Sequence, residues 1–276
     1  MTVTLGRIGI WRHFAQLTPE QAAELDELGF GALWIGGSPA GDLEQAESLL
    51  DATKNIAVAT GIVNIWKDDA ATVAASYHRI AAKHPGRFLL GIGAGHREHT
   101  QEFVKPYTAL VAYLDELDGH GVPVEDRALA ALGPKVVELA GDRTAGAHPY
   151  LTIPEHTRQA REILGEGPLL APEHKVVLET DPERARAIGR PVVQFYLSLT
   201  NYTSNLKRLD FTEEDFANGG SDRLIDALVL HGDAETIARG ARAHLDAGAD
   251  HVNLQVLTAD NADPLPTYRA LAEVLL

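Results

Sequence analysis

Apolar and polar positions follow one another along this chain in blocks: a short apolar run, then a longer stretch with helical spacing, repeatedly. "LGRIGIW" (5–11) reads as a strand and "TPEQAAELDEL" (18–28) as a helix, with Thr18 as N-cap, Pro19 at N1, Gln21 closing a capping box and Gly29 as the stop. "GALWIGG" (31–37) is a second apolar strand, and "NIAVATGIVNI" (55–65) a third, rich in β-branched residues. The alanine-rich "AATVAASYHRIAAKH" (70–84) is helical and leads through Pro85-Gly86 into "RFLLGIG" (87–93). The second half repeats the alternation. "RALAAL" (127–132), "TAGAHPYL" (144–151), "HKVVLET" (174–180) and "DHVNLQVL" (250–257) read as strands. The segments 133–142, 154–165, a long stretch from Asp181 with a kink expected at Pro191, and 233–249 read as helices.

Nearly all eight strands are continuous apolar runs rather than alternating ones, the pattern of strands buried on both faces in a helix-covered parallel sheet. Eight βα units in a chain of 276 residues predict a closed (β/α)8 barrel, with a doubly wound open sheet as the alternative. No Pro/Gly/Ser linker or low-complexity tract divides the chain, so a single domain over 1–276 is expected.

The stretch "GRFLLGIGAGHREH" (86–99) resembles a dinucleotide loop but fails its spacing, because His96 stands where the third glycine belongs. In a barrel, Gly91, Gly93 and Gly95 fall at the C-terminal end of strand four, where active sites of this fold lie and where glycine lets a flat ligand approach the backbone. Other strand ends to inspect include Trp11 and His13, Gly36 to Ser38, Gly61 to Trp66, and His148 to Tyr150. The chain has no cysteine, which excludes disulfides and thiolate chemistry and suits a cytoplasmic protein. Its formal net charge of −15 argues against nucleic acid and anionic membranes as partners. The N-terminus lacks a signal pattern, and no apolar run reaches the length of a membrane span. His96 and His99 stand three apart but have no third ligand in a zinc-site pattern, so no metal is expected. His96 reads either as a general acid or cofactor contact, or as a structural loop histidine.

Taken together, "ELDELGFGALWIGGS", "VATGIVNIW", "HPGRFLLGIGAGH", "RALAALGPKVVELAGDRTAGAHPYLTIPEHTRQAREILG" and "GGSDRLIDALVLHGDAETIARGARAHLDAGADHVNLQVL" resemble the bacterial luciferase-like family, in particular its coenzyme F420-dependent oxidoreductases. The resemblance implies a non-proline cis peptide between Gly61 and Ile62 behind the cofactor ring, with Asn64 at the ring's polar edge. It places Ser38, Gly93, Gly95 and His96 along the same cofactor. It also gives the backbone of Ala131, Leu132 and Gly133 an anionic tail to hold at a helix start. By themselves these stretches also read as a glycine-ended strand and a plain helix start. Departures are informative. "GGSP" (36–39) holds no titrating group where the family's alcohol and sugar-phosphate dehydrogenases carry an acid/base pair, and no lysine occurs from Val136 to His174. An alcohol or sugar-phosphate substrate is therefore disfavoured, and His96 is left as the candidate catalytic residue. The resemblance further implies a homodimer with helix 70–84 in the interface. The expected activity is hydride transfer between F420 and a small organic substrate. The alternatives are an FMN-dependent monooxygenase, or a protein that binds F420 or flavin without catalysis.

Overall fold

The computed structural model describes residues 3–95 and 105–276. Strands β1 (Ile8–His13), β2 (Ala32–Gly36), β3 (Ala57–Gly61) and β4 (Val63–Asn64) alternate with helices α1 (Pro19–Leu28), α2 (Glu44–Asp51) and α3 (Ala70–Lys83). Then come β5 (Phe88–Gly93), α4 (Pro106–Gly119), β6 (Arg127–Leu129), α5 (Pro134–Arg143), β7 (Gly146–Ala147), α6 (Pro154–Leu164), β8 (Leu169–Leu170) and β9 (Glu173–Val177). The rest is α7 (Pro182–Leu197), α8 (Thr200–Lys207), α9 (Glu213–Phe216), α10 (Asp222–Leu228), β10 (Val229–His231), α11 (Ala234–Asp246), β11 (Val252–Val256) and α12 (Leu265–Leu275).

The pairings are parallel and run β10-β9-β11-β1-β2-β3-β5-β6-β7-β8, with β4 beside β5. The two halves of one stave, β8 and β9, are joined through Ala171-Pro172, and this closes the sheet. On one side Leu169, Ala171 and Glu173 donate to the carbonyls of Ala145, Ala147 and Pro149, and on the other Asn253 N–H donates to Pro172 O at 2.9 Å. The expected (β/α)8 barrel is therefore present, and each of the eight strands read from the sequence corresponds to a stave. Two staves are broken. β3 and β4 are separated at a cis Gly61–Ile62 bond, as the resemblance implies.

Caps set the helix ends. Thr18 Oγ1 accepts from Gln21 N–H, Asp69 from Thr72 N–H and Asp233 from Thr236 N–H, while Gly29 closes α1 at φ +91°. Between sheet and helices lies an aliphatic layer that includes Leu25, Leu33, Ile35, Leu50, Val58 and Ile80. Inside the barrel a few large rings stand among alanines: Trp11 and Trp34 pack with Ala57, Ala59, Ala128 and Ala171.

The sequence reading needs correction in four places. The strand expected over 144–151 is only two residues long, α2, α4 and α12 are helices the sequence reading does not contain, and β10 is an additional strand beside β9. The long helix expected from Asp181 continues through Pro191 but ends at Leu197, and α8, α9 and α10 follow as separate helices. These helices share their own apolar cluster, with Val193, Leu199, Tyr202, Leu206, Leu224 and Leu228, beside Val177 of β9.

Candidate active site

The C-terminal ends of the staves surround a cavity of about 840 Å³, walled on one side by the start of α8 and the end of α7. Its floor is set by Trp11. The indole lies over β2, where a Cβ on Gly36 would fall 2.1 Å from the ring, so glycine is required there. Gly36 and Gly61 are register partners in neighbouring strands. A Cβ on Gly61 would meet Trp11 Nε1 at 3.0 Å and His148 Nε2 at 3.2 Å.

Both of those nitrogens are buried without a hydrogen-bond partner among the described residues. His148 cannot turn to relieve this, because its Nδ1 is held by Ala171 O at 2.7 Å and its ring is stacked on Trp34 with centroids 4.1 Å apart. Nδ1 must donate to that carbonyl, which leaves Nε2 a lone pair. Burial pushes the imidazole pKa down to about 4, so the ring is neutral at neutral pH.

On the β4–β5 side, Asn64 is fixed by accepting from Trp66 N–H at 3.0 Å, and Trp66 Nε1 donates to Ala94 O at 2.8 Å. Gly95 takes φ +58° beside the Asn64 amide, and a Cβ there would lie 2.6 Å from Asn64 Nδ2. Across the cavity stand Tyr150, Tyr196 and Tyr202. The Tyr150 and Tyr196 hydroxyls are 2.9 Å apart, and Tyr150 also donates to Gln255 Oε1 at 2.8 Å. Beneath Tyr150 a fully buried Lys175–Glu173 pair, 3.0 Å apart, brings Lys175 Nζ to 3.9 Å from the ring centroid. Burial opposes both charges of this pair, and their mutual contact works against that.

The cavity's electrostatics are one-sided. Lys67 and Arg208 line it, and no aspartate or glutamate does among the described residues, in a chain of net charge −15. Burial lowers the pKa of His156, the contact of its Nε2 with Leu132 O at 2.9 Å opposes this, and the Arg208 charge adds to the lowering. The start of α5 opens beside this region: Gly133 is its N-cap without a side-chain cap, and space is open where a Gly133 Cβ would project.

Of the residues singled out in the sequence, Ser38, Gly61, Ile62, Asn64, Gly95, Ala131, Leu132 and Gly133 all line this cavity. Gly93 does not. It is covered by Ile62 and Ala130, 3.0–3.2 Å from where its Cβ would be, and so is a packing glycine. Gly91 is another, since a Cβ there would strike Thr60 O at 1.8 Å. His96 and His99 lie outside the described residues. Sequence reasoning missed Lys67, Phe195, Tyr196, Tyr202 and Arg208. None sits at a strand end, and no local pattern marks them.

Residues 4–117 match the luciferase-like monooxygenase family, which covers the first half of the barrel. No curated protein matches the chain. Among solved structures, an F420-dependent secondary alcohol dehydrogenase in complex with an F420-acetone adduct is similar at TM-score 0.75 and 16% identity, over 98% of each chain. A coenzyme F420-dependent tetrahydromethanopterin reductase from Methanopyrus kandleri follows at 0.71 and 16%, again over 98% of each chain. The oxygenating constituent of 3,6-diketocamphane monooxygenase from Pseudomonas putida, a type II Baeyer-Villiger monooxygenase bound to FMN, gives 0.71 and 15%, over 97% of this chain and 96% of that one. At these identities the likeness defines the fold: the chain has the same barrel as these F420-dependent and FMN-bound enzymes. No helix among the described residues is long and apolar enough to cross a membrane.

Proposed function

We propose that this protein is an oxidoreductase that binds coenzyme F420 in the large cavity and transfers a hydride between it and a small organic substrate. The observation that carries the reading is the cavity itself: an open slot over glycine backbone whose charged lining groups, among the described residues, are Lys67 and Arg208. A planar ring with an anionic tail suits that combination of flat backbone and positive charge that no carboxylate offsets among the described lining residues. Ile62 and Gly61 would support the ring, Asn64 and Ser38 would meet its polar edge, and the α5 start with Arg208 would hold the tail. When bound, the cofactor supplies two-electron chemistry.

The chain's own residues have separate tasks. Tyr150, Tyr196 and Tyr202 form an aromatic wall that excludes water from the slot. His148 stays neutral and offers an acceptor lone pair to the floor. His96, next in the chain after Gly95, is the proposed proton donor on sequence grounds. The similarity to F420-dependent enzymes favours F420, and the FMN-bound monooxygenase of the same fold supplies the second reading. Titration of the protein with F420 and FMN in parallel, followed by absorbance, tests the choice. F420 is expected to bind at least tenfold more tightly, about 1.4 kcal/mol. Equal or tighter FMN binding, with oxygen consumption when FMN is reduced, would replace the first reading with the second.

A further inference from the structure

A second cleft, of about 300 Å³, opens between the C-terminal ends of β1 and β11 and the flank of α7. It adjoins the large cavity, since Trp11 and His13 border both. One wall is apolar, formed by Ile188, Pro191 and Val192 of α7 with Val256 and Leu257. The other carries Arg12, which is half-buried.

The hydrogen-bond inventory of this cleft is unbalanced. Arg12 Nε donates to Gln16 O at 3.1 Å and Nη1 reaches the Tyr268 hydroxyl at 3.4 Å. Its Nη2 donates to none of the described residues, and the guanidinium forms no ion pair among them. Gln255 Oε1 is taken by the Tyr150 hydroxyl, and Asn261 Oδ1 by Gln16 Nε2 at 3.5 Å. Thr258 gives its hydroxyl proton to Ala262 O at 2.7 Å. Gln255 and Asn261 therefore keep N–H groups to offer beside a guanidinium that has no ion pair among the described residues. Asp260 is the acidic residue of the lining, and it is exposed at the rim.

We infer that this cleft binds a small monocarboxylate with an apolar body. The carboxylate takes the open edge of Arg12, with the Gln255 and Asn261 amides as further donors, and the body lies along α7. A guanidinium fork matches a carboxylate in shape and cancels its single charge, and it excludes cations. The aliphatic wall selects against a bare inorganic anion, which would leave that surface wet. Because Gln255 is also bonded to Tyr150, occupancy here touches the wall of the large cavity without entering it. The inference stands whichever cofactor that cavity takes.

Benzoate, with benzamide as its uncharged counterpart, tests this by calorimetric titration of the purified protein at low salt. Benzoate is expected to bind at one site, at least tenfold more tightly than benzamide. Arg12→Gln is expected to weaken benzoate at least tenfold, while Arg208→Gln in the large cavity leaves it within twofold. The comparison of the two probes on the unaltered protein does not depend on any variant folding. Benzoate that fails to bind, or binds no better than benzamide, overturns the inference. So does loss of binding in Arg208→Gln with none in Arg12→Gln, because the anion then sits in the large cavity. F420 affinity, measured separately, reports on the proposed function and not on this cleft.

Discussion

Replacing His148 with Phe keeps a ring against Trp34 and removes the titrating group from the cavity floor. The folded imidazole has its pKa held down to about 4 by burial, against about 6.5 when the chain is unfolded. Between these values the unfolded chain binds a proton that the folded chain does not. This group therefore contributes stability that is complete above about pH 6.5 and is lost as pH falls toward 4, below which both states are protonated. By pH 4.5 the loss is about 2 to 3 kcal/mol. The substitution also has a cost that does not vary with pH: Ala171 O loses its 2.7 Å donor, at about 1 to 3 kcal/mol. His148→Phe should thus be less stable than the parent at pH 7.5, and the deficit should shrink by about 2 to 3 kcal/mol at pH 4.5. The other buried imidazoles with lowered pKa, His156, His174, His244 and His251, are present in both proteins and largely cancel in the difference. Urea unfolding at four pH values between 7.5 and 4.5 measures it. A deficit that stays constant across that range would refute the reasoning, because His148 would then titrate alike in both states.

Gly61→Val places a branched side chain against Trp11 Nε1 and His148 Nε2; cofactor affinity should fall more than tenfold in a titration, with melting lowered by a few degrees from overpacking. His96→Ala should lower kcat by about 10²–10⁴-fold with much less change in cofactor Kd, and unchanged turnover would remove His96 from the mechanism. The exposed face of α3 includes Ala71, Ala75 and Ala82, small residues that allow close approach of a second helix. Sedimentation should accordingly give a homodimer at micromolar concentration, reduced to monomer by Ala75→Arg.

The barrel was legible because its signal is local and repeated. Continuous apolar runs mark doubly buried strands, and capped helices lie between them, so even imprecise boundaries preserve the order of staves. What each glycine does was not legible. Gly91, Gly93 and Gly95 look equivalent in the chain, yet the first makes room for Thr60 O, the second for Ile62 and Ala130, and only the third opens onto the cavity. That difference depends on which neighbouring strand stands opposite, which no single segment encodes. Arg208 and Tyr202 were missed for a related reason. They reach the cavity from helices whose pattern is broken by polar residues, and their role exists only once those helices dock on the barrel. β9 is a further case: nothing in the segment "HKVVLET" marks Lys175 as half of an ion pair, and its partner Glu173 precedes the expected strand, yet the two meet fully buried inside.

The indole over Gly36 also constrains how this barrel can change during evolution. Any side chain at 36 and the ring of Trp11 claim one volume, so neither position can be altered freely while the other is kept. A polar or titrating side chain at the end of β2 becomes accessible only after, or together with, a smaller residue at 11. The two positions are thus epistatic. A lineage that reduced Trp11 first would cross a step in which the floor is open and Tyr150 has lost its 5.0 Å ring neighbour. A lineage that enlarged Gly36 first would meet a clash with the indole. Either order passes through a weakened intermediate, and that barrier tends to hold the present floor in place even where selection on the substrate relaxes.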